Sequence, residues 1–527
     1  MPTKLSTRPT LWRGAAVTCA VGLAVFGTGL PTGRPSESAV SRFYDQKVAW
    51  GKCPGEGIPK DMQCGKVTVP LDYGHPRDGT LELALARYRA TGDRKGSVLV
   101  NFGGPGGAGV PEFAGAGKEF MSLTDDYDIV TFDPRGVGRS SPVSCGDGKE
   151  QIDLPDDPAE VRRDPRAVLD GLREAAAACA RHSGPVLPHI GTVDASRDLD
   201  VMRAALGDKK LNYLGFSYGT RLGAVYAAQF PDKVGRLVLD GVDTLTEPLT
   251  EQGVAGAEGQ QKALDEFTDW CAEDVACPFG QDARQARRYV VMLVDSLDKD
   301  PVPSVFGEPF TGQDLVAAIS SALYSKELWP TLERALATLV EDGSTHAIEA
   351  FAGGGGSPVR RAKAGDRDGG LVDAEDVPLD NPAAAMMAIN CADDPDRPTG
   401  RQIVGGLDRL RARYEEASPV FGRQRLTEVL MCYGRPAGTE FIREDVKDLD
   451  TPKVLLVGTR GDPATPYRWT METARRLGSA AVVLDNKGSG HTGYASSKCV
   501  HGTVDAFLLY GTLPPDGSSC APDEDRR

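Results

Sequence analysis

Short apolar runs bounded by polar turns recur along this chain, and their spacing alternates between two periods. Thr80–Arg87 (TLELALAR) alternates apolar and polar positions, the period-two pattern of a half-buried strand. Ser97–Asn101 (SVLVN) and Tyr127–Phe132 (YDIVTF) are short and strongly apolar, as buried strands are. Asp194–Leu206 places Leu199, Met202 and Leu206 at helical spacing. Leu211–Leu214 predicts a further strand, Thr220–Phe230 the helix behind it, and Arg236–Leu239 the next strand. Strands separated by helices imply parallel βαβ units and an α/β sheet. From about Thr244 to Glu440 the pattern becomes mainly helical, as in Gln261–Cys271 and Lys326–Val340, broken by the glycine-rich loop Gly353–Pro358. Strands return at Lys453–Val457 and Ala480–Leu484, and Val504–Leu509 fits a last helix. The pattern divides the chain into a leader over 1–36, a first core segment over 37–243, a helical cap inserted over 244–440, and a second core segment over 441–527.

Composition changes this picture little. The 527 residues are 40% hydrophobic and 26% charged, ordinary for a globular protein and unlike a collagen, a disordered chain or a polytopic membrane protein. Lys and Arg total 60 against 75 Asp and Glu, a net charge of −15 that argues against nucleic acid as a partner. The leader matters more. Lys4, Arg8 and Arg13 precede the uncharged stretch Gly14–Leu30, the layout of a secretory signal cleaved between about Thr28 and Ser38, leaving no stable membrane span in the mature form. Of eleven cysteines, Cys19 lies in the leader, and an even set of ten in an exported chain predicts disulfides. Closeness along the chain favours Cys53–Cys64 and Cys271–Cys277, and no CxxC spacing suggests zinc.

The chemistry begins at Gly215–Gly219 (GFSYG), a GxSxG set directly between a strand and a helix. That context holds a serine hydroxyl proud of the sheet above a helix N-terminus, so Ser217 is the candidate nucleophile. Serine needs a base, and chain order in proteins with this turn is serine, acid, histidine. His346, His491 and His501 follow Ser217; His346 lies in the cap and His501 beside the last helix. His491 sits in a loop just after a strand (GSGHT), where a base reaches the nucleophile. Asp462, in the proline-rich turn GDPATP, is the candidate acid, with Asp240 at the end of an earlier strand as its rival. Oxyanion donors are expected at the Tyr218 N–H and in the turn Phe102–Gly107, at Gly104 with Gly103 as alternate.

The ordered motifs NFGGPGG, DPRGVGRS, GFSYG, GDPATP and GHT, from Asn101 to Thr492, together resemble the proline iminopeptidases and the exported actinobacterial tripeptidyl aminopeptidases. The resemblance covers most of the mature chain. It implies an α/β-hydrolase fold with a mainly parallel sheet and a helical cap, and a Ser217–Asp462–His491 triad. It also implies a secreted serine exopeptidase acting near a free peptide N-terminus, with no cofactor or metal. The chain departs from many such sequences in carrying Phe102 where they have His or Pro. Asp133–Gly136 is expected to shape a loop beside the site. Asn390–Asp394 (NCADD) resembles a family motif in which an acid follows a cysteine by two residues, which makes Asp393 and Asp394 the candidate partners of a substrate ammonium. An esterase or lipase-like hydrolase, and a catalytically dead exported peptide-binding protein, are the rival readings.

Overall fold

The computed structural model describes residues 37–523 apart from 56, 147–163, 306 and 352–369. The leader with its expected signal and the glycine-rich loop lie outside the described residues.

Ten strands form one sheet: β1 (Gly51–Lys52), β2 (Gln63–Pro70), β3 (Thr80–Tyr88), β4 (Gly96–Asn101), β5 (Tyr127–Phe132), β6 (Leu211–Phe216), β7 (Val234–Asp240), β8 (Val454–Gly461), β9 (Ala481–Ser489) and β10 (Ser518–Cys520). Their spatial order is β1-β2-β3-β5-β4-β6-β7-β8-β9-β10. The pairs from β1 through β3 to β5 are antiparallel, and every pair from β5 to β10 is parallel. β4 and β5 are buried along their whole length. Parallel strands need apolar residues on both faces because helices cover both. Alternate residues accordingly feed two cores: Leu99, Val130, Tyr213, Leu239 and Leu456 on one side, Val100, Ile129, Leu214, Val238 and Leu455 on the other. β1, β2 and β10 are additions to the strands read from the pattern, and β1 is only two residues long. The first half of β2 is polar, and β10 is only three residues long.

Between β7 and β8 the chain is helical, and packing divides this insertion differently from its sequence limits. Helix α1 (Tyr218–Gln229) lies on the sheet just before it. Helices α2 (Leu249–Ala272) and α3 (Gly312–Ala322), with Trp329–Asp342, bury their own core around Phe267, Ile319, Trp329 and Leu332. Helix α4 (Asn381–Asp393) instead places Ala384, Ala385, Ala388 and Ile389 in the core beneath the sheet. Pro165–His182, ahead of the nucleophile, packs Leu169 and Leu172 against Leu407 and Tyr414 of the insertion. Sequence order hides both crossings because one helix face looks alike whichever layer covers it.

All ten cysteines among the described residues are paired. Cys53–Cys64 and Cys271–Cys277 close the local loops expected, and Cys145–Cys179, Cys391–Cys432 and Cys499–Cys520 complete the set. Cys391–Cys432 spans 41 residues and ties the end of α4 to the last helices of the insertion. Replacing both cysteines with serine is expected to cost on the order of 4 kcal/mol through loop-closure entropy, read as a lowered denaturant midpoint.

Candidate active site

The site assembles at the carboxyl ends of four adjacent parallel strands, β6 to β9, where open α/β sheets place reacting groups. β6 runs into Ser217, whose backbone adopts φ 55° and ψ −126°, a conformation costing roughly 1–3 kcal/mol. Neighbours hold it there: the Ser217 N–H donates to the Asp240 carbonyl, and Thr220 donates to the Ser217 carbonyl through both N–H and Oγ1. A Cβ on Gly215 would stand 2.4 Å from the Gly219 carbonyl oxygen, so the elbow closes only with glycine at that position. Helix α1 starts at the next residue and points its N-terminus at the hydroxyl.

The turn after β4 lies against this elbow. Gly103 has φ +92°, and a Cβ there would meet Ser217 Cβ at 3.0 Å and Tyr218 N at 3.2 Å. A side chain would fill the space beside the Tyr218 N–H. The Gly103 N–H donates to Asn101 Oδ1 at 3.1 Å, which favours Gly104 over Gly103 as the second oxyanion donor. Phe102 stacks on Phe216 at 6.2 Å and meets Phe113 and Phe120, so this residue braces the turn from its apolar side. Asp133 works from farther back. Its buried carboxylate accepts the Val110 and Arg139 N–H groups, and Arg135 forms a buried pair with Asp198 at 2.6 Å. The DPRG segment is thus a brace.

Asp462 and His491 meet directly. His491 Nδ1 lies 2.9 and 3.0 Å from the two oxygens of Asp462. The carboxylate also accepts the Ala464, Thr465 and Thr492 N–H groups and the Thr465 hydroxyl, so it is fixed in direction as well as place. Such a partner assigns the proton to Nδ1 and leaves Nε2 as a base. A Cβ on Gly241, at the end of β7, would stand 3.4 Å from His491 Cε1, which puts the imidazole over the strand next to Ser217. The rival acid, Asp240, is committed elsewhere: its fully buried carboxylate accepts the Gly493 and Tyr494 N–H groups and holds the loop that carries His491. Burial, with the Asp462 charge nearby, outweighs the two N–H donors and His491 and pushes Asp240 up to about 7.

Burial works against the His491 imidazolium, but the charge and hydrogen bond of Asp462, with Asp240 and Asp243 farther off, outweigh it and raise the pKa. Burial also opposes the charge on Asp462, yet His491 and the surrounding N–H donors hold it below the ordinary value. The signs follow. The raised His491 stabilises the fold below the ordinary histidine range, a contribution lost as pH rises through its folded pKa. The lowered Asp462 contributes above the ordinary aspartate range and loses that contribution as pH falls through its folded pKa. A base must be neutral to act, so kcat/KM is expected to fall on acidification with a midpoint above about 6.5, checked by a pH–rate profile.

Asp393 and Asp394 are placed otherwise than expected. They end α4 as buried groups. Asp393 accepts the N–H and hydroxyl of Thr192 and lies 3.5 Å from Arg221, which also pairs with Asp243 at 2.9 Å. Asp394 accepts the Leu249 N–H and pairs with Arg443 at 3.0 Å. The cavity they border with Arg221 and Gln252 measures about 20 Å³, room for a water. Asp393 thus shares Arg221 with Asp243, and Asp394 shares Arg443 with Asp396. Asp393 acts instead behind the elbow, since Thr192 Oγ1 meets the Tyr218 hydroxyl at 2.6 Å. Sequence reasoning missed Tyr324, whose carbonyl accepts the His491 N–H at 2.8 Å and whose ring meets the imidazole edge-on at 5.1 Å. A lone tyrosine inside a helical insertion carries no signal of that role.

Comparison with known proteins places this geometry. The family model described as the alpha/beta hydrolase fold matches residues 96–337, and that of the TAP-like proteins matches residues 418–520. The chain is 33% identical to serine protease Hip1 of Mycobacterium tuberculosis over 98% of both chains. It is 32% identical to the tripeptidyl aminopeptidase of Streptomyces lividans, over 93% of this chain and 89% of that one. Carboxylesterase B of M. tuberculosis is also 32% identical, over 88% of this chain and 87% of its own.

Proposed function

Since the chain belongs to the α/β-hydrolase family, we propose that it is a serine peptidase that cleaves peptides near a free N-terminus through an acyl-enzyme. The observation that carries the reading is the Asp462–His491 pair, held at 2.9 Å beside the strained elbow of Ser217. In this reading Ser217 Oγ attacks the scissile carbonyl while His491 Nε2 takes its proton, and Asp462 stabilises the imidazolium. The Tyr218 and Gly104 N–H groups receive the oxyanion. His491 then protonates the departing amine, and water, activated by the same histidine, releases the acyl group. Export is part of the proposal. Five disulfides suit an oxidising compartment, and no helix among the described residues is long and apolar enough to cross a membrane.

A general esterase is the second reading, favoured by the likeness to carboxylesterase B, which equals the tripeptidyl aminopeptidase in identity, at 32%, over a smaller share of this chain, 88% against 93%. One comparison separates the two: hydrolysis of a tripeptide amide with a free N-terminus against its N-acetylated twin, with Ser217→Ala as the control. Rapid cleavage of the free form and slow cleavage of the blocked form is the expected result. Equal rates on both would remove the aminopeptidase reading and leave the hydrolase.

A further inference from the structure

One cap residue reaches the reacting groups. Where α3 ends, the chain turns through Tyr324 toward the short 3-10 segment Lys326–Leu328. The Tyr324 carbonyl accepts the His491 N–H at 2.8 Å, and a Cβ on Gly490 would stand 3.0 Å from that oxygen, so this turn is pressed onto the histidine loop. The ring stands edge-on to the imidazole, with centroids 5.1 Å apart and planes at 76°. It is nevertheless 42% exposed, in contrast to the buried aromatics of the cap core such as Phe267 and Trp329. An aromatic left half open to solvent while touching the base borders the space where substrate lies. That space has a definite side. When the acyl–nitrogen bond breaks, the acyl group stays on Ser217 Oγ and the proton on His491 Nε2 goes to the leaving nitrogen, so the leaving portion departs along the imidazole.

On the peptidase reading above, we propose that Tyr324 is a specificity-determining residue for the leaving-group side, favouring an apolar or aromatic residue immediately after the scissile bond. The flat ring offers apolar area at little entropic cost, and its hydroxyl keeps one end compatible with water. The main-chain bond to His491 is independent of the side chain, so substitution alters the wall while keeping that bond.

The test uses one tripeptidyl group with glycinamide, leucinamide and phenylalaninamide as leaving groups, and a parallel series of methyl, 3-methylbutyl and 2-phenylethyl esters. Values of kcat/KM, which include the acylation step, are measured for wild type, Tyr324→Phe and Tyr324→Ala. Wild type is expected to favour the large apolar leaving group ~10-fold or more over the smallest in each series. Tyr324→Phe retains that ratio, and Tyr324→Ala reduces it to within ~3-fold. An unchanged ratio in Tyr324→Ala, no preference in wild type, or an equal loss across all substrates would each overturn the assignment. Loss of amide turnover with the ester ratio intact and sensitive to Tyr324→Ala would instead remove the peptidase reading and leave the role of Tyr324 standing.

Discussion

Replacing Ser217 with alanine is expected to lower kcat by ~10³-fold or more while leaving the melting temperature unchanged. The two halves of this result have separate causes. What holds residue 217 in its strained backbone is main chain: its N–H on the Asp240 carbonyl and its carbonyl receiving Thr220. Alanine keeps both bonds and meets the same strain. The hydroxyl, by contrast, is the only group in the proposed mechanism that forms the covalent intermediate. A loss of ~10³ corresponds to about 4 kcal/mol of transition-state stabilisation. The oxyanion donors and bound-substrate geometry survive, so turnover above the uncatalysed rate remains. Steady-state kinetics with fluorophosphonate labelling checks the first half, and a thermal melt checks the second. Retention of more than about a tenth of the activity, or continued labelling, would move the nucleophile elsewhere.

The second large effect is expected at Asp462, where asparagine should lower kcat by ~10⁴-fold. The carboxylate accepts the proton of His491 Nδ1 and thereby leaves Nε2 free as the base. An amide group turned toward Nδ1 favours the opposite tautomer, with the proton on the wrong nitrogen. Unlike Ser217→Ala, this change also reaches the fold. Asp462 accepts three backbone N–H groups and the Thr465 hydroxyl, and an amide has one oxygen where the carboxylate has two. Leaving a buried donor unmatched costs about 1–3 kcal/mol, so the melting temperature should fall as well. The acid limb of the pH profile should move down, since the charge that raises His491 is gone. Asp240→Asn gives the contrast. It is expected to loosen the Gly493–Tyr494 loop and to cost less activity, because its carboxylate does not touch the imidazole. An equal or larger loss at Asp240 would reverse the two assignments.

Ser217, His491 and Asp462 are legible in the sequence as candidates because the chemistry leaves a local trace. A serine between two glycines at a strand-to-helix junction, and a histidine and an aspartate each just past an apolar strand, are positions a one-dimensional pattern records. The same holds for β4, β5 and β6, whose buried faces produce continuous apolar runs. Asp393 shows where that reading stops. The likeness of Asn390–Asp394 to a family motif implies an anion facing substrate, but an acid's meaning depends on what lies opposite it. Here Arg221, 172 positions earlier, and Thr192, 201 positions earlier, are the partners. Charge pairing of that kind has no period.

The sequence by itself determined most of the sheet-forming segments, the mainly helical insertion, two of the disulfides and the residue types able to perform acyl transfer, because backbone periodicity and turn chemistry are written in neighbouring residues. Tertiary structure alone decided that Asp240 braces a loop while Asp462 meets the imidazole. It also decided that α4 belongs to the core, and that Tyr324 stands beside His491. Each of these depends on which distant surfaces exclude water together, a property of the packed chain that local order does not encode.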